Sequence, residues 1–227
     1  MERYALIHTV LPREFVLLQG TGCRWKQCTF CDYHKDVSDN PYLVNQSILE
    51  SVTGVYGVLD VINSGSALEL DDQTIGLIRQ LVREKNIHTL WFEAHYMYRH
   101  RLADWAKQFD GVEVKFRCGI ESFDGQQRTR WHKGVAESVT AEDVAKYFSG
   151  VCLMCGTVGE CKERILRDIA LAEEWFEYAS VNVFCNNSTG EKRDEKLVSW
   201  FEREVYPRLK KSTKIEVLMN NTDLGVG

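Results

Sequence analysis

The stretch FVLLQGTGCRWKQCTFCDYH, residues Phe15–His34, sets two signals side by side. Phe15–Gln19 is an apolar run of strand length. It opens into a glycine-bearing loop that carries Cys23, Cys28 and Cys31 within nine residues. A short polar loop is a poor place for three thiols unless they bind something, because free cysteine otherwise behaves as a small buried residue. What the loop can do depends on the strand before it, and that strand is the first of a series.

Five more runs of the same kind follow: Val58–Asn63, Thr89–Glu93, Val112–Arg117, Val151–Met154 and Val181–Phe184. Helical periodicity fills the gaps between them. Thr74–Lys85 places Ile75, Ile78, Leu81 and Val82 on one face, Lys162–Trp175 does so with Ile165, Ile169, Ala172 and Trp175, and Asp194–Tyr206 with Leu197, Trp200, Phe201 and Val205. Asp71 and Asp72 supply cap and first-turn charge to the first of these, and Pro207 is expected to close the last. Parallel neighbours need a crossover, usually a helix, and crossovers are right-handed. Six strand–helix units in series therefore predict an α/β fold, an open, partial (β/α)6 barrel of parallel strands. A closed eight-unit barrel takes about 250 residues. Ile215–Met219 is a candidate final strand at one edge.

The 227 residues, 44% of them hydrophobic, can bury one sizeable core, so 1–227 reads as a single domain with the cysteine loop at 20–34. A net charge of −5 leaves no basic footprint for nucleic acid. No stretch has the length and apolarity of a membrane span, and the first residues lack a secretory pattern. A cytoplasmic setting is expected, in which the eight cysteines are reduced thiols or metal ligands rather than a disulfide framework.

In such folds the chemistry gathers at the carboxyl ends of the strands. The three cysteines follow the first strand. Ser64, Gly65 and Ser66 follow the second, Glu93 and His95 the third, and Glu121 and Ser122 the fourth. Gly156 and Gly159 follow the fifth, and Asn186 and Asn187 the sixth.

Residue chemistry alone leaves three metal readings of the cysteine loop. Cys23, Cys28, Cys31 and His34 could form a Cys3His zinc site, though structural zinc usually staples a small domain without a core. The Cys-x4-Cys-x2-Cys spacing is also that of plant-type [2Fe–2S] proteins, but the next cysteine, Cys118, falls on a predicted strand of a βα series rather than in a small β-rich carrier. The third reading is a [4Fe–4S] cluster with three protein ligands, whose fourth iron stays open for a substrate or cofactor.

The loop resembles the signature of the radical S-adenosylmethionine (SAM) superfamily, including the aromatic Phe30 just before the third cysteine; the usual spacing is Cys-x3-Cys-x2-Cys, and this chain has one more residue between Cys23 and Cys28. Other landmarks recur in order. NSGSALE (63–69) stands in place of the Gly-Gly-Glu-type motif, CGIESFD (118–124) is similar to the Gly-Ile-Gln/Glu-Ser stretch, and LMCGTVGE (153–160) resembles the strand-five glycine motif. The resemblance implies a [4Fe–4S] cluster on Cys23, Cys28 and Cys31, with SAM as second cofactor and Phe30 beside them. It implies that Ser64, Gly65 and Ser66 receive the methionine amino group, that Glu121 holds the ribose hydroxyls, that Lys133 pairs with the methionine carboxylate, and that Cys155 and Gly156 lie against the adenine. It also implies an external reducing donor such as flavodoxin or ferredoxin.

A chain this short leaves no separate substrate domain, so a small substrate in the barrel mouth is expected. Candidate contacts are Tyr33, His34, Asp36, Glu93, His95 and Asn186, with Glu93 and His95 also the candidates for proton chemistry. Carboxylate and amide groups suit a purine-like edge with N–H donors, and a carboxylate suits an amine equally. The Cys23/Cys28 spacing, the CTFCDYH run (28–34), WFEAH (91–95) and NNTDLG (220–225) resemble the queuine lyases, small radical SAM proteins of bacterial queuine salvage. That resemblance implies cleavage of free queuine to 7-aminomethyl-7-deazaguanine. A radical SAM enzyme acting on another small metabolite, or a zinc- or cluster-binding interaction module, are the competing functions.

Cys152 and Cys155 are three apart on a predicted strand and point to opposite faces, so they should not share a metal. With Cys118, Cys161 and Cys185 they read as small buried residues. Protein purified without oxygen should carry about four irons per chain. Cys28→Ala should lose them and Cys155→Ala should keep them, as measured by iron analysis; stoichiometric zinc without iron would contradict the cluster.

Overall fold

The computed structural model describes residues 2–225. Its elements alternate along the chain as β1 (Tyr4–Ile7), β2 (Arg13–Leu18), α1 (Pro41–Leu49), β3 (Val58–Asn63), α2 (Asp72–Glu84), β4 (Thr89–Ala94), α3 (Leu102–Ala106), β5 (Glu113–Glu121), α4 (Gly125–Arg130), α5 (Ala141–Ala145), β6 (Gly150–Cys155), α6 (Lys162–Trp175), β7 (Tyr178–Val183), α7 (Glu195–Trp200) and β8 (Ile215–Leu218). The strands form one sheet in the order of the sequence, β1 to β8, curled into a half-barrel. β2 to β8 are parallel and joined by six crossovers, as expected of a partial (β/α)6 barrel.

β1 is the departure from an all-parallel sheet: it pairs antiparallel with β2, Tyr4 opposite Val16. Residues 8–12 are too short a link for a crossover, so the chain can only turn back. β5 runs on to Glu121, past the expected stop at Arg117, and its pairing with β6 slips between Gly119 and Glu121. Pro207 does not end the last helix. A π-helical stretch, Phe201–Val205, continues α7 into Tyr206–Leu209, whose first turn holds the proline where its missing N–H costs nothing. Asp71 caps α2 as its position suggests, accepting from the Thr74 N–H at 2.8 Å.

Alternation along the strands sorts the two faces of the sheet. Val16, Leu59, Val61, Leu90, Phe92, Phe116, Cys118, Ile120, Val151, Leu153 and Val181 point outward and pack with Ile75, Ile78, Ile165, Ile169 and Phe201 of the helical layer in one continuous core. The concave face carries the other parity, and no helix among the described residues covers it. At its closed end sit buried charges. Arg13 Nε donates to Asp60 at 2.8 Å and its Nη2 to Glu216 at 2.8 Å, while Arg117 forks onto both oxygens of Asp60 at 3.0 Å each. Tyr178 donates to Glu216 at 2.6 Å. Two guanidiniums face two carboxylates, so the plug is neutral. Removing one member leaves uncompensated buried charge. Asp60→Ala should cost about 3–5 kcal/mol, read as a lower urea midpoint of the metal-free protein.

Candidate active site

The cysteine loop leaves β2 and is held from three sides. The β3 end grips it first. Glu69 accepts the N–H groups of Arg24 and Ser66 at 3.3 and 3.1 Å and the Tyr98 hydroxyl at 2.7 Å, while Gly20 N–H donates to Ser64 Oγ at 3.1 Å. The approach is close enough to demand glycine at 65: a Cβ there would lie 2.3 Å from Glu69 Oε2 and 3.2 Å from the Cys23 backbone. The loop after β7 grips the other side. Asn187 donates to the Phe30 carbonyl at 2.7 Å, Ser188 to Asp32, and Thr29 to Glu191 at 2.8 Å. Phe30 itself packs with Trp131, Met154 and Phe184, beside Cys28 and Cys31.

The third grip comes from the turn after α4. Its Trp131 and His132 carbonyls accept from Thr29 N–H at 3.1 Å and Trp25 Nε1 at 2.8 Å. The same turn delivers Lys133, whose buried ammonium donates to Glu121 at 2.9 Å and lies 5.7 Å from the Phe30 ring centre. Glu121 stands at the β5 slip with φ of +65°, a left-handed conformation costly for a residue with a side chain. Burial raises its pKa against the pull of Lys133.

His95 is committed to the backbone on both nitrogens. Nδ1 accepts from the Met97 N–H at 3.1 Å, so Nε2 carries the hydrogen and donates to the Lys133 carbonyl at 2.7 Å. The His95 N–H donates to Ser66 Oγ at 3.0 Å. Its imidazole is thus a neutral strut between the β3, β4 and α4 ends, and its ring nitrogens are not free for proton chemistry.

One cavity at the open end of the half-barrel collects Cys23, Cys28, Cys31, Phe30, Tyr33, Ser64, Gly65, Ser66, Glu93, His95, Glu121 and Lys133. His34, Asp36, Asn186, Cys155 and Gly156 do not line it. Asp36 is taken by Arg3 at 3.0 and 2.6 Å and by Gln19, Asn186 accepts the Arg193 N–H, and the Cys155 side chain sits in the core behind β6. Met154 and Phe184 line the cavity near the β6 end instead. Deeper in, the walls are Phe15, Leu17, Ile62 and Leu224, with Arg117, Cys152, Tyr178, Ser180 and Asn182 opposite. Glu93 projects above the charged plug, 3.7 Å from Arg117 Nε and 3.5 Å from the Cys152 thiol. The plug is already neutral, so Glu93 is its surplus carboxylate. Of the remaining cysteines, Cys118, Cys152 and Cys155 are buried, Cys185 is half-buried and Cys161 is exposed rather than buried.

Arg117, Cys152, Tyr178, Ser180 and Asn182 were within reach of the alternation pattern, since each shares parity with a concave-face neighbour. Trp25 carries no local signal, and although Glu69 ends the 63–69 motif and Asn187 follows the sixth strand, their grip on the cysteine loop is set by partners far away in the chain.

Among the described residues no three cysteine, histidine or acidic side chains converge closely enough for a single metal ion, and His34 does not face the cysteines' cavity. A Cys3His zinc site is not formed. A four-iron cluster is larger and takes its thiolates from farther apart. Three half-buried thiols opening on one cavity, with a glycine pressed against the loop and a buried lysine–glutamate pair beside it, fit a cluster with a chelating ligand. In the metal-free chain burial raises the Cys28 thiol and lifts Cys31 to about 12, so binding a cluster must displace their protons.

No protein-family profile and no curated protein matches the chain. Among solved structures, a queuine lyase from Clostridium spiroforme bound to SAM and queuine superposes with a TM-score of 0.94 and 39% sequence identity, over 100% of this chain and 99% of that one. Streptococcus suis SuiB shares the fold at a TM-score of 0.52 and 12% identity, covering 88% of this chain and 48% of that one. Half-barrel and cysteine loop together define a radical SAM enzyme. Within that class, the chain belongs to the queuine lyase family.

Burial and the Lys133 ammonium hold the His95 pKa at about 4, below its usual 6.5. The unfolded chain therefore takes up a proton first as pH falls. The metal-free protein should lose stability between pH 6.5 and 4, by roughly 3 kcal/mol from this group. His95→Gln should flatten that part of the profile of urea midpoint against pH.

Proposed function

We propose that this enzyme cleaves free queuine to 7-aminomethyl-7-deazaguanine, releasing the cyclopentenediol portion. The supporting observation is the full-length likeness to a queuine lyase bound to SAM and queuine, at 39% identity, combined with a cavity that joins the three thiols to a deeper polar pocket. When bound, the [4Fe–4S] cluster and SAM supply one electron and a 5′-deoxyadenosyl radical able to abstract an unactivated hydrogen.

The chain's own residues bind, orient and exclude water. Cys23, Cys28 and Cys31 hold the cluster. With SAM bound, Lys133 would pair with the methionine carboxylate and Glu121 would hold the ribose hydroxyls. Ser64, Gly65 and Ser66 present the β3 end to the amino group. Met154 and Phe184, which line the cavity at the β6 end, would take the adenine, with Cys155 and Gly156 shaping the turn from behind. Phe15, Leu17, Ile62 and Leu224 offer apolar surface to a flat base and keep water from the reacting atoms. Glu93 accepts from the N–H edge of the deazaguanine. Arg117 and the Cys152 thiol hold one of its oxygens and leave the other for the base.

An external low-potential donor such as flavodoxin or ferredoxin supplies the electron. No described helix is long and apolar enough to cross a membrane, and the eight free cysteines suit a reducing compartment such as the cytoplasm.

Reconstituted protein given reductant, SAM and queuine should form 5′-deoxyadenosine much faster than without queuine. Equal rates would remove the substrate assignment. Glu93→Gln should raise the KM for queuine about 10- to 100-fold while leaving SAM affinity within about twofold, because it weakens one charged hydrogen bond at the base.

A further inference from the structure

The four residues between Cys23 and Cys28 make room for an indole that does something other than cover the loop. Trp25 lies over the His95 ring, centroids 5.6 Å apart and planes 23° from parallel. Its Nε1 donates to the His132 carbonyl at 2.8 Å. The indole edge fills the space over Gly134, where φ is +70° and a Cβ would come within 2.2 Å of Trp25. His95 donates to the next carbonyl, that of Lys133, at 2.7 Å. Two stacked rings thus hold two successive carbonyls of one turn.

That turn needs holding. His132 has φ of +52° and Gly134 +70°, so left-handed residues flank Lys133 on both sides. The left-handed conformation costs His132 more than it costs Gly134, because only glycine lacks the Cβ that meets the following carbonyl. The turn's shape decides where the Lys133 side chain enters the cavity, and the ammonium is buried once there. Lys133 has a long flexible stem, so a fixed backbone is the main control on its reach.

We infer that Trp25 is a positioning residue for SAM: by clamping the turn around Lys133, it aims the ammonium at the methionine carboxylate. This rests on the reading of Lys133 as the carboxylate partner. It also ties the cluster loop to the cofactor site through a side chain that lines their common cavity. Trp25 acts on Lys133 through His95 and the 132–134 backbone.

The test compares four variants of anaerobically reconstituted protein: Trp25→Ala, Trp25→Phe, Gly134→Ala and Lys133→Gln. Iron content and circular dichroism establish that each is loaded and folded. SAM affinity is read from the change it causes in the electron paramagnetic resonance spectrum of the reduced cluster, which needs no turnover. Trp25→Ala should keep its iron and weaken SAM binding about tenfold, with queuine KM little changed. Gly134→Ala, which pushes a methyl into the indole, should do the same. Trp25→Phe keeps the stack and loses the hydrogen bond, so it should fall between wild type and Trp25→Ala. If Lys133→Gln binds SAM weakly while Trp25→Ala and Gly134→Ala bind it within about twofold of wild type, the positioning role is wrong and the Lys133 reading stands. If Lys133→Gln also binds normally, the Lys133 reading fails and takes the inference with it. Loss of iron in both Trp25 variants would make the indole a support of the cluster loop and overturn the proposal.

Discussion

Arg13 and Glu216 are 203 residues apart, on strands near opposite ends of the sheet, yet their side chains meet at 2.8 Å. A half-barrel has no ladder to close it. Its concave face is lined by one parity of every strand and covered by no helix among the described residues, so the groups there must satisfy each other across the gap. Asp60, shared between Arg13 and Arg117, links the middle of the sheet to the same network. Ion pairs this deep offset a large desolvation cost and add little net stability. What they supply is geometry: a wet or mispaired floor would leave buried charge exposed to the cavity above it. Glu93, the one carboxylate that the floor does not neutralise, is aimed at that cavity for the same reason.

The upper rim is built differently. No rigid element carries the cysteine loop; the ends of β3, β4, α4 and β7 each hold a part of it. His95 and Glu69 are the junctions, and both spend their polar atoms on loop backbone. A rim made of mutual grips explains why strained residues gather there. Lys26, Glu121 and His132, in the cysteine loop, at the β5 end and in the turn after α4, all have positive φ.

Much of the fold was legible in the sequence. Apolar runs and helical periods located the strands and longest helices within a few residues, and the crossover rule turned them into a parallel sheet. The errors have physical causes. β1 is a short, half-exposed apolar run, and its antiparallel pairing follows from the short link to β2 rather than from its own residues. The bent end of α7 hides behind Pro207, a residue that stops helices in general but fits the first turn of a new one. At the site, the cysteines and the ordered strand-end motifs were readable because each follows its strand. Asp36 and Asn186 follow their strands as the pattern requires, but their partners, Arg3, Gln19 and Arg193, lie away from the cavity, and His34 does not line it. His95 lines the cavity, but whether its nitrogens are free depends on Met97 and on Lys133, 38 residues away.

The sheet's strand order is its sequence order, and this has a consequence for how the enzyme is made. Synthesis delivers the chain from its N-terminus, and contacts between distant segments wait for both to exist. The loop bearing the three thiols leaves the ribosome early. Glu69 and Trp131, which grip it, come later, and Asn187, Ser188 and Glu191 come last. Until Asn187, Ser188 and Glu191 have been made, the nascent protein therefore displays three cysteines that the β7 loop does not yet hold.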